Sequence, residues 1–217
     1  MGKQILDYFT YRANILNLTV KPLLMDVKGA RALFNTVRSS LKSKLRVPMN
    51  KQKGKKRKPA YLTGIVHMLV DAHRRGLPCD FDPRQLTSVT LNGRPLRTLA
   101  RRVDGAFPSV INPVAIWEIK EYYYTTTFGS RVADGVYETL LDGMELEELR
   151  TSEKIDMKHY LILDDRFTWW ECGRSYLCRV IDMLHMGYVD EVIFGRETVD
   201  RVPNLVREWV NAAKARS

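Results

Sequence analysis

The sequence is short of several things, and each shortage excludes a class of protein. It has three cysteines, Cys79, Cys172 and Cys178, an odd number with no CxxC spacing. A disulfide framework and a cysteine-type zinc site are therefore not expected, and reduced thiols in a cytoplasmic setting fit best. The four histidines, His67, His73, His159 and His185, form no HExxH-like pair. No apolar run approaches the roughly 18 residues of a membrane helix, so no membrane role is expected. The start, Met1 to Arg12, lacks the apolar core of a signal peptide. There is no Walker A motif, no internal repeat and no cofactor fingerprint.

Acidic residues are missing from one stretch in particular. From Arg38 to Lys58 there are ten Lys and Arg side chains and no Asp or Glu. The whole chain of 217 residues carries 35 basic and 25 acidic side chains, a net charge of +10. Removing that stretch leaves the remainder neutral, so one segment holds the entire imbalance. Such a segment suits the counterion release that drives nucleic-acid binding. Its lysine-rich centre lacks an apolar face, which argues against a membrane-surface helix. Lys51, Lys53, Lys55, Lys56, Arg57 and Lys58 are the expected phosphate contacts, on a loop, Val47 to Lys58, read as exposed and mobile. A solvated charge run or an acidic protein partner would use the same residues.

What remains, 45% hydrophobic and 28% charged, is ordinary globular composition for a single domain. Apolar residues at three-to-four spacing predict helices before and after Pro22, the first with Ile5, Leu6, Phe9, Ala13 and Leu16 in that recurrence. A helix is predicted over Ala60 to Arg75, with Ile65, Met68, Leu69 and Ala72 on its buried stripe and Gly76 as its stop. Asn92-Gly93 between short β-prone runs predicts a hairpin. Strands follow near Arg102 to Asp104, over Pro113 to Tyr124, at Tyr160 to Leu163 and over Val189 to Phe194. Helices are predicted from Ser130 to Leu149, around Tyr176 to Leu184, and from Pro203, placed in its first turn, to Ala215. The expected fold class is α/β, a central mixed sheet flanked by helices. Residues 1–58 form a helical extension with the basic arm, part of the same domain, and residues 59–217 form its core.

One segment carries chemistry. Asn112 to Lys120 reads as a buried strand, yet it contains Glu118 and Lys120. Side chains two apart on a strand share a face, so these two project together. Pairing of that strand with the segment ending at Asp104 would bring a second carboxylate beside Glu118. Two carboxylates suit Mg²⁺, which is bound through oxygen ligands and leaves room for water and a phosphate oxygen. Lys120 would orient a water, stabilise charge, or take a proton if desolvation lowered its pKa. Alternatives remain on the same residues: an ion pair protecting an edge strand, or a plain turn at Asp104-Gly105. Asp164 and Asp165 are competing carboxylates, Asp71 a helix acid that could reach the site, and Glu121 points to the face opposite Glu118. Trp169-Trp170 is read as core packing.

At Asp104-Gly105, then thirteen residues from Gly105 to Trp117, then Glu118-Ile119-Lys120, the sequence resembles the PD-(D/E)XK nuclease superfamily. Val103 stands where that superfamily often has Pro. The resemblance covers residues 60–165 by order of elements and three residues by motif. It implies a restriction-endonuclease-like core of helix, three antiparallel-leaning strands, helix and strand. It further implies a Mg²⁺-dependent endonuclease that hydrolyses phosphodiester bonds in double-stranded DNA. A type II restriction enzyme is the leading form, acting as a homodimer beside a cognate DNA methyltransferase. Catalysis would rest on Asp104, Glu118 and Lys120, with Asp104 and Glu118 holding the metal. Tyr122, Tyr124, Thr126 and Arg131, with the basic arm, are candidate DNA contacts. A structure-selective or phage-defence nuclease resembling Holliday junction resolvases, or a basic nucleic-acid-binding protein without catalysis, are the alternatives.

Overall fold

The computed structural model describes residues 2–127 and 129–216 of the chain, and of Arg131 only the backbone. Its centre is a five-stranded mixed sheet in the order β1-β4-β5-β6-β7. Strands β1 (Asp80–Phe81), β4 (Gly105–Phe107) and β5 (Ala115–Glu121) run antiparallel to their neighbours, while β6 (Lys158–Asp164) and β7 (Glu191–Phe194) continue parallel from β5. This is an α/β fold. β5 occupies the middle of the sheet, so Lys120 is not protecting an edge.

Helices cover both faces of the sheet. On one face α3 (Val27–Ser40), α4 (Tyr61–His73) and α7 (Thr198–Arg216) enclose a core built on Trp117, Tyr160, Ile162 and Ile193. On the other, α5 (Ser130–Glu153) and α6 (Arg174–His185) pack over Leu161, Leu163 and Phe194, joined by Leu16 and Val20 of the N-terminal helical segment. Trp169 and Trp170, on a π-helical stretch over Phe167–Cys172, are buried there. The alternation of the strands sorts the side chains: Trp117 faces α4 and α7, whereas Glu118 and Lys120 face α5. A separate hairpin, β2 (Ser88–Leu91) and β3 (Arg94–Thr98), turns through Asn92 and Gly93, both at positive φ. That is the geometry an Asn-Gly turn favours.

Several expectations are corrected: the strand expected near Arg102 to Asp104 begins only after it, at Gly105, where pairing with Trp117 starts. The first helix, α1 (Gly2–Asn14), buries none of its residues, and Ile5, Leu6 and Phe9 stand about half exposed or more. Pro22 lies within the short helix α2 (Lys21–Leu23), so the break comes after it. On α4 Ala72 is exposed, and Leu62, Val66 and Val70 join the buried set instead, because the helix is covered on more than one side. The last helix starts at Thr198, and Pro203 sits inside it. The basic loop, expected to be mobile, is exposed but tied at its base. Met49 bridges Pro59, Ala60 N donates to Pro48 O at 2.8 Å, and a 3₁₀ turn over Gly54–Lys56 forms its tip.

Gly105 is not a turn residue. It pairs with Trp117 across β4 and β5, and a Cβ there would lie 1.9 Å from the Trp117 ring. The indole is fully buried and stacks on Trp209 at 5.3 Å between ring centroids. Gly105→Ala should therefore overpack the core beside the site, lowering unfolding free energy in urea by ~1–3 kcal/mol, a cost typical of inserted methyl groups.

Candidate active site

The antiparallel pairing of β4 and β5 sets the site. Gly105 lies opposite Trp117, so Asp104, one residue earlier, falls beside the stretch Glu118–Ile119. The Asp104 backbone N–H donates to Trp117 O at 3.1 Å, and Ile119 N–H donates to Asp104 Oδ2 at 2.8 Å. The Asp104 carboxylate is close enough for its charge to raise the Glu118 carboxyl. Lys120 Nζ donates to Glu118 Oε2 at 3.1 Å, as their shared strand face requires. The structure thus brings together Asp104, Glu118 and Lys120.

Burial makes these charges consequential. The Glu118 side chain is 2% exposed and that of Lys120 11%. Burial pushes the Glu118 carboxyl up, and the Asp104 charge adds to this, against the pull of Lys120 and Arg101. Burial would also raise Asp104, but the Lys51 ammonium, the Ile119 amide and Lys120 outweigh it and hold its pKa below the ordinary value. The two carboxyls are therefore driven apart. Burial works against the Lys120 ammonium, yet the Glu118 carboxylate overrides it and the pKa ends raised. Lys120 is a cation here, not the deprotonated base that desolvation alone would give.

Arg101, Glu138, Asp142 and His67 escaped the sequence reading, as did the inward reach of Lys51. Arg101 bonds Glu118 at 3.2 Å and Glu138 at 3.2 Å through Nη2, and Asp142 at 2.9 Å through Nη1. Glu138 and Asp142, both on α5, thereby tie that helix to the site. Lys51, expected only as a phosphate contact, places Nζ 2.8 Å from Asp104 Oδ1. His67 on α4 packs at a tilt against Phe81, with ring centroids 4.6 Å apart, feels the charges of Asp104 and Asp82, and keeps a buried Nε2 without a hydrogen-bond partner. None of these pairs has a sequence spacing that would announce it.

The other candidates scatter. Asp71 pairs with Arg74 instead of reaching the site. Asp164 is fully buried, accepting from Tyr123 Oη at 2.6 Å and Met25 N at 2.7 Å, and Asp165 accepts from Thr168 N. Both are thus consumed by the segment that closes the end of β6. Glu121, on the face opposite Glu118 as expected, accepts from Leu62 N at 3.1 Å and Thr63 N at 3.2 Å and so caps α4. Tyr122 lies next to Lys120 and Gly135. Tyr124 Oη donates to Pro59 O at 3.1 Å, fastening the far end of the basic loop. Thr126 is exposed, and the Arg131 side chain lies outside the described residues.

The donor set fits a hard divalent cation. Glu118 Oε1 is buried and has no hydrogen-bond partner, while Oε2 is held by Lys120 and Arg101. An orphaned buried carboxylate oxygen is costly unless a cation completes it. Among the described residues no three His, Cys, Asp or Glu side chains converge as a metal-holding group. The protein would supply Asp104 and Glu118, a number that suits Mg²⁺ with its remaining positions filled by water and phosphate.

The family model described as a domain of unknown function (DUF7687) matches residues 25–209. No curated protein and no solved structure matches the chain. Among the described residues no helix is long and apolar enough to cross a membrane.

Two consequences of this electrostatic arrangement are measurable. Asp142 is 1% exposed and depends on Arg101. Arg101→Met should cost on the order of 3 kcal/mol in urea unfolding well above pH 7, the penalty of a buried ion pair losing one partner. The cost should be smaller at lower pH, where the Asp142 carboxyl, pushed up to about 7 by burial, takes a proton instead. The double variant Arg101→Met, Asp142→Asn should recover part of it. The second concerns Glu121, whose carboxyl desolvation pushes from 4.5 up to about 7. A folded-state pKa above the unfolded one means the native protein holds the proton more tightly. That contribution is full below 4.5 and is lost as pH rises through about 7. The thermal midpoint should fall across this interval, and Glu121→Gln should flatten the fall.

Proposed function

The chain belongs to the DUF7687 family, a family of unknown function, and for this member we propose a Mg²⁺-dependent nuclease of the PD-(D/E)XK type that hydrolyses phosphodiester bonds in DNA. One observation carries the reading: Asp104, just before β4, lies alongside Glu118 of β5 and its charge acts on the Glu118 carboxyl, whose Oε1 is buried without a partner while Oε2 accepts from the Lys120 ammonium. The order α4, antiparallel β1, β4 and β5, then α5 and a parallel β6 supports it, being the order the resemblance implies. The concentrated positive charge of Arg38 to Lys58 supports a polyanionic substrate.

Within this reading each side chain has a task. Asp104 and Glu118 are the cation ligands, and Mg²⁺ held there supplies a more acidic water and neutralises charge on the phosphate oxygens. Lys120 remains protonated and opposes the negative charge that builds on the phosphorus-bound oxygens, an effect typically worth on the order of 100-fold or more in rate. Arg101 acts through Glu118, holding Oε2 so that Oε1 stays directed inward. The loop from Lys51 to Lys58 takes phosphates flanking the bond to be cut. Cleavage at a specific duplex site, by a homodimer matching a palindrome, is the restriction-enzyme form of this proposal. Cleavage of branched DNA is its other form.

Digestion of plasmid and phage DNA with and without Mg²⁺, in parallel with Lys120→Ala, tests the proposal. Metal-dependent cutting should fall at least ~100-fold in the variant while its thermal unfolding stays cooperative. Discrete fragments would mark a site-specific enzyme, and cutting confined to four-way junctions a structure-selective one. Salt-sensitive binding without cutting of linear, supercoiled, modified or branched DNA would assign the chain to non-catalytic nucleic-acid binding.

A further inference from the structure

The basic loop and the carboxylate pair are mechanically one unit. Asn50 N donates to Lys58 O at 2.9 Å, the Asn50 side chain accepts from Lys58 N at 3.0 Å, and Met49 bridges Pro59. The loop then runs directly into α4, whose first turn is held by Glu121, the residue after Lys120. From this fixed base Lys51 reaches inward to Asp104 Oδ1 at 2.8 Å and Asp82 Oδ1 at 3.3 Å. Lys53, Lys55, Lys56, Arg57 and Lys58 form no ion pair among the described residues. The loop therefore turns one cation toward the site and leaves five facing solvent.

Asp104 has two carboxylate oxygens, and both are taken. Oδ2 accepts from Ile119 N, a backbone bond fixed by the sheet, whereas Oδ1 is covered by an ammonium whose side chain is 63% exposed. A divalent cation joining Asp104 to Glu118 must meet the Lys51 charge at contact distance, where like charges repel most strongly. Nucleic-acid phosphates offer the same ammonium an alternative partner on the solvent side of the loop. Resting on the reading of Asp104 and Glu118 as a cation-binding pair, we propose that Lys51 is a positioning residue that exchanges Asp104 for a nucleic-acid phosphate. The cation and nucleic-acid sites then fill together. By linkage, nucleic acid raises cation affinity by the same factor as the cation raises nucleic-acid affinity.

Mn²⁺ binding followed by electron paramagnetic resonance tests this on the full chain without any cleavage. Lys51→Met should bind Mn²⁺ roughly tenfold more tightly than the unmodified protein, as removal of one partly exposed unit charge predicts. A saturating short random-sequence duplex should raise the affinity of the unmodified protein toward that of Lys51→Met, and barely change the variant. Asp104→Asn should abolish the binding in both backgrounds. Equal Mn²⁺ affinity with and without Lys51, binding that survives Asp104→Asn, or no binding by either protein would each overturn the proposal. Tighter binding in Lys51→Met that the duplex fails to reproduce in the unmodified protein would also overturn the exchange. The same tightening reproduced by the duplex, with no DNA cleavage, would uphold the exchange and sink the nuclease reading. Cleavage with unchanged Mn²⁺ affinity would do the reverse.

Discussion

A carboxylate is buried in the middle of the sheet, and the surroundings of that group are organised by its desolvation. Glu118 occupies the central strand, almost without solvent contact. An isolated charge in such a place costs several kcal/mol, so it needs cations within reach. Lys120 supplies one from the same strand face, and Arg101 supplies the other from the segment before β4. Arg101 in turn needs Asp142 and Glu138, which draws α5 onto the sheet. One buried group therefore links three elements far apart in sequence. Such a network specifies geometry more than it adds stability, since a well-packed apolar core of the same volume can be as stable.

The opposite face solves a different problem. Trp117, one residue before Glu118, fills the core under α4 and α7, and its ring lies so close to β4 that only glycine fits at position 105. The backbone of Asp104 donates to Trp117 O while its side chain accepts from Ile119 N. Packing on one face thereby fixes the height of a carboxylate on the other. The Asp-Gly pair is a unit for this reason: the glycine permits the approach, and the approach delivers the aspartate.

Elements governed by local periodicity were legible in the sequence. The Asn92-Gly93 hairpin, the Ile65, Met68 and Leu69 part of the α4 stripe, the shared face of Glu118 and Lys120, and the strand at β6 all follow from spacing over a few residues. The strand pairing that brings Asp104 to Glu118 was legible because a hairpin between neighbouring segments is a local event. What failed depended on distant partners. The pattern of α1 says that it is amphipathic but not that the core ends before it. Arg101 with Asp142, separated by 41 positions, and Lys51 with Asp104, separated by 53, carry no period at all. Pro203 favoured a helix start because its ring suits a first turn, yet the preceding residues already satisfied that role through Glu197, which accepts from Phe194 N.

The charge balance of the site bears on what it can bind. Lys51, Arg101 and Lys120 stand against Asp104, Glu118 and Asp142, with Asp82 and Glu138 at the more exposed rim. With all three carboxyls ionised the inner set is neutral. Burial pushes the Asp142 carboxyl up to about 7 and raises Glu118 as well, so protonation can only make the set more positive. A divalent cation entering alone would leave a surplus of at least two positive charges in a poorly solvated place, which opposes its retention. Anions arriving with it remove that surplus, and a chain of phosphates is the anion that the adjoining Lys53 to Lys58 segment would also attract. A small neutral substrate would leave both the cation's charge and the loop's charge uncompensated. On the proposed reading, the same electrostatics that keep Glu118 folded in the centre of the sheet would favour a polyanion and a cation taken up together over either one taken up singly.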